Sequence, residues 1–218
     1  MRWPVLVGKD RTQPAKGKWH DWKQEIADHC GAQCVYCAIT EGRFGGIRNF
    51  HIEHFRPKKK FNKLENDIKN LYLACGICNV LKGDDWPADP LPDHSVAAYP
   101  DPWVVDYNTL LSVSPGYQVD ATTRSAKYLI ERVLLNRAQL ILERRLAATL
   151  AFLKDFEEWV QSSVPRMTKG EMEKTVEILV ELSDVKSTAF TARPYRNSDT
   201  KRTEAPKTKP KTKAAKKR

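Results

Sequence analysis

The segments Cys34-Val35-Tyr36-Cys37 and Cys75-Gly76-Ile77-Cys78 decide the fold of this chain, because each places two thiols three positions apart. Two thiolates at that spacing can both bind one ion, and two such pairs complete the tetrahedral shell of Zn²⁺. The sequence therefore predicts a closed, structural zinc site with 37 residues between the pairs. Buried thiols without metal and a redox-active pair are the alternatives. Cys30 is left over and is expected to pack in the core.

Two short strands and a helix are predicted in the residues that this site would enclose. Phe50 and Ile52 alternate with His51 and Glu53, which is the two-residue period of a strand. Pro57 ends the strand, because proline has no N–H to donate to a neighbouring strand. The predicted order is a strand at 49–55, a polar loop, a strand at 71–73 and a helix at 75–82. Zinc would join this helix to the turn before the first strand and hold the hairpin rigid.

The same segment carries the side chains that phosphodiester hydrolysis requires. That reaction needs a base to deprotonate water and a divalent cation to neutralise charge on the phosphoryl oxygens. His54 offers an imidazole, Glu53 a carboxylate, and Asn70 and Asn79 amide oxygens. Neighbouring residues on a regular strand point to opposite faces. We therefore expect a bend before Pro57 that lets Glu53 and His54 converge.

These motifs resemble the ββα-metal signature of HNH endonucleases. The residues that carry the resemblance are His51-Ile52-Glu53-His54-Phe55-Arg56-Pro57, the segment from Asn70 to Asn79, and Lys82. The resemblance covers about residues 17 to 85. It implies an enzyme that cleaves DNA and leaves 5′-phosphate and 3′-hydroxyl ends.

The resemblance also implies roles for individual residues. Glu53 and Asn79 would bind a catalytic Mg²⁺ or Mn²⁺, and His54 would be the general base. Asn70 would brace the hairpin and orient His54, and Arg56 completes the predicted catalytic group. The family more often has aspartate at the position of Glu53, so the choice of metal stays open.

Three further segments resemble, more narrowly, the HNH nucleases of Septu-type anti-phage systems. They are Glu53-His54-Phe55-Arg56-Pro57-Lys58, Leu129-Ile130-Glu131-Arg132 and Leu135-Asn136-Arg137. Nucleases of that family act beside a separate ATPase. The narrower resemblance therefore implies a defence effector with an ATPase partner.

A run of basic residues lies in the loop after the first strand. Lys58, Lys59 and Lys60 are predicted to contact DNA phosphates, which position the duplex without specifying its sequence. Lys82 could make the same contact. The alternative is an ordinary solvated face.

Most of the positive charge lies at the C-terminal end of the sequence. Residues 201–218 contain nine basic residues and one acid, so they carry +8 of the formal net charge of +10. These residues are lysine, threonine, proline and alanine for the most part, and such a composition cannot form a core. We predict a disordered tail at 197–218 and a nearly neutral body.

The chain is predicted to be an α+β protein with four regions. They are an N-terminal arm at 1–16, an HNH nuclease domain with a four-cysteine zinc site at 17–100, a mainly helical accessory region at 101–196, and the tail. No apolar run is long enough to span a membrane, and no signal peptide is recognisable. Unpaired cysteines suit a reducing compartment, so the expected location is the cytoplasm.

The sequence thus predicts a metal-dependent endonuclease with structural zinc and catalytic Mg²⁺ or Mn²⁺. A zinc-finger-like module that binds nucleic acid without cutting it is the alternative, because it needs the same cysteines and basic residues. Glu53 favours the enzyme, since a carboxylate facing phosphates repels them unless a cation lies between.

Overall fold

The computed structural model describes residues 2–163 and 167–190, and both strands and helices occur in it, as the α+β class predicts. The elements are α1 (Lys23–His29), β1 (Phe50–His54), β2 (Leu71–Cys75), α2 (Gly76–Lys82), α3 (Tyr107–Leu110), β3 (Ser112–Val113), β4 (Val119–Asp120), α4 (Arg124–Arg132), α5 (Ala138–Ser163) and α6 (Lys169–Phe190). The predicted tail at 197–218 lies outside the described residues.

The hairpin of β1 and β2 forms the centre of the molecule. The two strands are antiparallel, with Phe50 opposite Cys75 and His54 opposite Leu71. All five residues of β2 are buried, and α2 begins directly after it. Gly83 ends α2 with φ +51°, a conformation that glycine adopts without strain, and its N–H donates to the Asn79 carbonyl at 2.9 Å. Strand, strand and helix therefore follow in the predicted order.

Helix α1 packs on this hairpin through Ile26 and Ala27, which are both buried. Residues 19–21 form a separate 3₁₀ turn before it. Cys30 at the end of α1 is buried, and its sulfur accepts a hydrogen bond from the Leu73 N–H at 3.4 Å. Its predicted role in packing is confirmed.

The N-terminal arm has no helix or strand, yet it is fastened to the hairpin. Trp3 and Leu6 are buried, and the Trp3 indole N–H donates to the Tyr36 carbonyl at 2.8 Å. The Arg11 guanidinium lies between two aromatic rings, 4.8 Å from the Tyr72 centroid and 5.0 Å from that of Trp103. The arm therefore covers part of the core.

Side chains from both sides of residue 100 share one hydrophobic core. Tyr107 and Leu129 are buried together with the residues of the hairpin. The stretch 86–102 is irregular, yet Trp86 and Tyr99 within it are buried. The first part of the helical region is thus packed on the segment that contains β1 and β2.

Helices α5 and α6 extend beyond this core. Leu146 of α5 is buried, whereas Leu142, Leu150 and Trp159 are exposed. In α6, Val176 is among the exposed apolar side chains. Among the residues that the structure describes, no helix is both long and apolar enough to cross a membrane.

Candidate metal and catalytic site

The four predicted cysteines come together as one buried cluster. Their Sγ atoms all lie within 4.8 Å of one another. We call Cys34, Cys37, Cys75 and Cys78 the four-cysteine cluster. The turn that carries the first pair is attached to β2, because the Val35 N–H donates to the Leu73 carbonyl at 2.8 Å. The second pair spans the end of β2 and the first turn of α2.

The donor set of the cluster suits zinc. Four buried sulfurs at this separation match the tetrahedral thiolate shell of a structural zinc site. Hydrogen bonds from the other thiols, that of Cys34 first, lower the pKa of Cys75, whereas burial raises the pKa of Cys34. The cluster therefore holds the Cys75 thiolate readily and those of Cys34 and Cys78 at a cost, which a divalent cation would offset by replacing their protons.

Glu53 is buried on β1 and has a cation beside it. Its Oε1 lies 2.6 Å from the Lys82 Nζ and accepts a hydrogen bond from the Tyr36 hydroxyl at 3.2 Å. Oε2 has no hydrogen-bonding partner among the described residues. Burial raises the pKa of Glu53, while the Lys82 ammonium opposes that shift by stabilising the carboxylate.

The Lys82 side chain has no solvent exposure. Besides its contact with Glu53, Nζ donates to the His54 carbonyl at 3.2 Å and lies 5.3 Å from the Tyr99 ring centroid. In this position the ammonium does not reach the surface, where a DNA phosphate would lie. The sequence pattern missed this pairing, because a lysine near the end of a short helix is usually exposed.

One ring nitrogen of His54 makes a hydrogen bond, and the other has no partner among the described residues. Nε2 lies 2.9 Å from the Glu65 carbonyl oxygen. Since a carbonyl only accepts, we assign the ring proton to Nε2, which leaves Nδ1 as an acceptor. Burial lowers the pKa of His54 below 6.5, and the Trp19 ring packs edge-on at a centroid distance of 5.0 Å. The imidazole is therefore neutral at pH 7.

Asn70 is buried beneath the loop between the strands. Its Oδ1 accepts from the Arg56 N–H at 2.8 Å, and its Nδ2 donates to the carbonyls of Arg56 at 3.0 Å and Leu64 at 3.2 Å. Leu64 precedes Glu65, whose carbonyl faces His54. Asn70 thus holds the loop that supplies the partner of His54, without bonding to His54 itself.

The expected bend before Pro57 is present, but it follows both Glu53 and His54. The chain bends at Phe55 and Arg56, before Pro57, but both residues have already paired regularly with β2. Their side chains keep separate partners, Lys82 for Glu53 and the loop carbonyl for His54.

Asn79 lies on α2, one turn before Lys82, and is half-buried. Its carbonyl receives the N–H of Gly83, and its side chain makes no hydrogen bond among the described residues. The amide is therefore available to a ligand.

The basic residues of the loop are largely paired with acids. Arg56 lies 3.4 Å from Asp89, Lys58 lies 3.6 Å from Glu65, and Lys59 pairs with Asp84. Lys60 instead donates to the Trp86 carbonyl at 3.2 Å. The side chains of the three ion pairs are 37% exposed or more, and exposed pairs contribute little free energy. These cations can therefore exchange a carboxylate for a phosphate at low cost.

Arg137 belongs to the surroundings of the cluster, although no local motif marks it as part of a metal site. Its guanidinium nitrogens lie 3.6 and 3.7 Å from the Cys78 Sγ. The two residues are 59 positions apart. Contacts across that separation depend on packing and leave no periodic signal in the sequence.

The unit of β1, β2 and α2 carries a four-cysteine cluster whose donor atoms suit a metal ion. The model of the family described as HNH endonuclease matches residues 34–85. The match runs from Cys34, the first residue of the four-cysteine cluster, to just past the end of α2. Domains of this family are generally nucleases, so the match suggests a nuclease with DNA as its substrate. No curated protein and no solved structure matches the chain.

Proposed function

We propose that this protein is a metal-dependent HNH endonuclease of the ββα-metal type that hydrolyses phosphodiester bonds in DNA. His54 carries this proposal. It lies within the matched segment, its imidazole is neutral, and its Nδ1 is free to accept a proton.

In the proposed reaction His54 is the general base. A water oxygen attacks phosphorus, and its proton passes to Nδ1 as the bond to the 3′ oxygen breaks. The departing 3′ oxygen takes a proton from solvent, so the products carry 5′-phosphate and 3′-hydroxyl ends. The Glu65 carbonyl fixes the ring, and Asn70 holds the loop that presents this carbonyl.

Glu53 and Asn79 are the proposed ligands of the catalytic ion, Mg²⁺ or Mn²⁺. Oxygen ligands of this kind suit both ions. The Lys82 ammonium stabilises the negative charge of the Glu53 carboxylate. Glu53 Oε2 and the Asn79 amide have no other hydrogen-bonding partner among the described residues. When bound, the ion would neutralise charge on the phosphoryl and leaving oxygens.

Zinc in the four-cysteine cluster has a structural role in this proposal. It would tie α2 to the turn before β1, and so keep Asn79 at a constant position relative to Glu53. Such rigidity matters because small displacements of catalytic groups slow reactions strongly.

Lys58, Lys59 and Lys60 are the proposed contacts to DNA phosphates, and Arg56 lies at the same edge of the loop. Lys82, which is buried, would act on Glu53 instead of on DNA.

A binding module without cleavage is the second candidate. The observation that favours it is that Lys82 and Tyr36 already satisfy one oxygen of Glu53, so that no metal is needed to keep it buried. A titration of the zinc-loaded protein with Mn²⁺ distinguishes the two. If Glu53→Ala loses a divalent site that the wild type has, the enzyme is supported. Equal metal content in both proteins supports the binding module.

The proposed chemistry is tested by plasmid nicking with His54→Ala in Mg²⁺ and in Mn²⁺. Loss of the base should slow cleavage by about 10²–10⁴-fold. His20→Ala is the matched control, because this exposed histidine pairs with Asp21 and has no contact with the loop carbonyl. Cleavage by His54→Ala at the wild-type rate would show that the base has been assigned wrongly.

We further propose that the nuclease is a cytoplasmic anti-phage effector with an ATPase partner. The support is the resemblance of the segments at 53–58, 129–132 and 135–137 to Septu-type nucleases. Purification of the tagged chain from its source cell, followed by identification of the proteins that co-purify, tests it. A pull-down that returns no ATPase would contradict a stable complex.

A further inference from the structure

Arg137 is buried against the four-cysteine cluster. It lies in the turn between α4 and α5 and is 8% exposed. Two of its nitrogens, Nη1 and Nη2, point at the Cys78 Sγ, at 3.7 and 3.6 Å. Both distances are within the range of N–H hydrogen bonds to sulfur. A full positive charge is therefore placed directly beside one of the four sulfurs.

The same guanidinium holds the end of α4. Nη1 also donates to the carbonyls of Val133 at 3.0 Å and Leu134 at 3.3 Å. Leu134 has φ +49°, a conformation that leucine rarely adopts, and the Arg137 N–H donates back to its carbonyl at 3.0 Å. Arg137 thus connects the backbone of the turn to the sulfur of α2.

The contact between Arg137 and Cys78 is electrostatically favourable when the cluster holds zinc, because the occupied cluster is negatively charged. Four thiolates on one Zn²⁺ carry a net charge of −2, and the four cysteines are buried. A buried charge without compensation is costly, and hydrogen bonds to charged groups are stronger than neutral ones. A guanidinium at Cys78 would neutralise part of this charge where water cannot.

We propose that Arg137 is an outer-sphere residue of the zinc site, which strengthens zinc binding through Cys78 and is in turn held in place by the metal. The turn between α4 and α5 is then joined through the metal centre to the segment that contains β1, β2 and α2. The proposal rests on the zinc assigned to the cluster under the proposed function, and it does not depend on His54 or on DNA cleavage.

Arg144 provides the matched control. It is also a buried arginine, on α5, but its nitrogens donate to the carbonyls of Tyr117, at 2.6 Å, and Leu135. Among the described residues it makes no hydrogen bond to sulfur. Loss of Arg144 should therefore lower stability without a specific effect on zinc.

The experiment measures the zinc dissociation constant of the full-length protein by competition with a chromogenic chelator. Replacement of an outer-sphere partner typically weakens metal binding by about 10–100-fold, which is the increase expected for Arg137→Gln. Arg137→Lys keeps the charge but loses the paired N–H geometry, so a smaller increase is expected. Arg144→Gln should leave the constant within about twofold of wild type, well below the effect expected at an outer-sphere partner.

Two results would overturn the proposal. One is a wild-type zinc constant in Arg137→Gln, and the other is an equal loss of zinc in Arg144→Gln. If Arg137→Gln does not fold, Arg137→Lys decides, and zinc binding indistinguishable from wild type counts against the proposal. Elemental analysis of the wild type distinguishes a failure of the Arg137 proposal from a failure of the zinc assignment. A wild-type protein that binds no zinc at all contradicts the zinc assignment.

Discussion

At the scale of single residues, His54 is defined by its two nitrogens and its burial. The Glu65 carbonyl accepts a hydrogen bond from the Nε2 N–H, and removal from water disfavours the charged imidazole. Both effects suit a general base, which must be neutral at pH 7 and have one ring nitrogen able to accept a proton.

The pH dependence of cleavage follows from this environment. The pKa of His54 is lowered from 6.5, so protonation and loss of the base occur only at more acidic pH. We expect kcat/KM for plasmid nicking to be constant near neutrality and to fall as pH drops through a value below 6.5. Rates measured between about pH 5 and pH 8 check this. An acidic limb centred above 6.5 would contradict the assignment of His54 as the base.

The ion pair of Glu53 and Lys82 predicts a strongly coupled pair of mutations. Lys82→Met leaves a buried carboxylate without its cation, and such losses cost about 3–5 kcal/mol. Adding Glu53→Gln removes the stranded charge, so the double variant should be more stable than Lys82→Met alone. Urea unfolding of the zinc-loaded wild type, Lys82→Met, Glu53→Gln and the double variant gives the four free energies of unfolding. If the two single effects add within error, the residues are not coupled and the pair is not formed in solution.

At the scale of elements, the loop between β1 and β2 depends on Asn70. Its amide bonds the loop backbone near the start of the loop, at Arg56, and near its middle, at Leu64. The loop has little regular structure beyond 3₁₀ turns, so these bonds replace those that a helix or strand would supply.

Asn70→Asp tests this role with almost no change in size. It keeps the acceptor for the Arg56 N–H but places a carboxylate against two carbonyls, so a loss of about 1–3 kcal/mol is expected. Cleavage should also decline, because the Glu65 carbonyl loses its support. Asn62→Asp, at an exposed position of the same loop, is the control for added charge. Equal stability of the two variants would argue against the bracing role.

At the scale of the whole molecule, Asp85 joins the segment matched to the HNH family and the helices that follow it. Its Oδ2 accepts from the Tyr99 hydroxyl at 2.8 Å, from the Tyr128 hydroxyl, and from the Arg132 Nε at 3.1 Å. The hydrophobic core also contains side chains from both sides of residue 100. Because of these bonds and this shared core, we expect the hairpin and the helices packed on it to unfold as one cooperative unit.

Asp85→Asn should therefore destabilise the molecule as a whole. Hydrogen bonds to a charged group contribute about 1.5–3 kcal/mol, part of which the amide loses. Asp84→Asn is the matched control, since Asp84 pairs with Lys59 at the surface. Chemical unfolding followed by tryptophan fluorescence and by circular dichroism should give coincident transitions in the wild type. Two separate transitions would show that the helices unfold independently of the hairpin.

Local sequence patterns were enough to predict several features. The spacing of the cysteines predicts the four-cysteine cluster, because ligand spacing is a local property. The alternation around Phe50 and Ile52 predicts β1, and the helix predicted at 75–82 agrees with α2 to within one residue. The chemical types of Glu53 and His54 indicate hydrolysis, and this stays a prediction until cleavage is measured.

The sequence by itself thus determined the class of fold, the metal-binding cluster and the elements that surround it. Only the tertiary structure decided that Lys82 is buried beside Glu53, that Glu53 and His54 keep separate partners, and that Arg137 lies against Cys78. Periodicity shows which face of an element is apolar, but not which charged groups from distant elements share the interior. Those pairings follow from packing, where an unpaired buried charge costs more than the chain can tolerate.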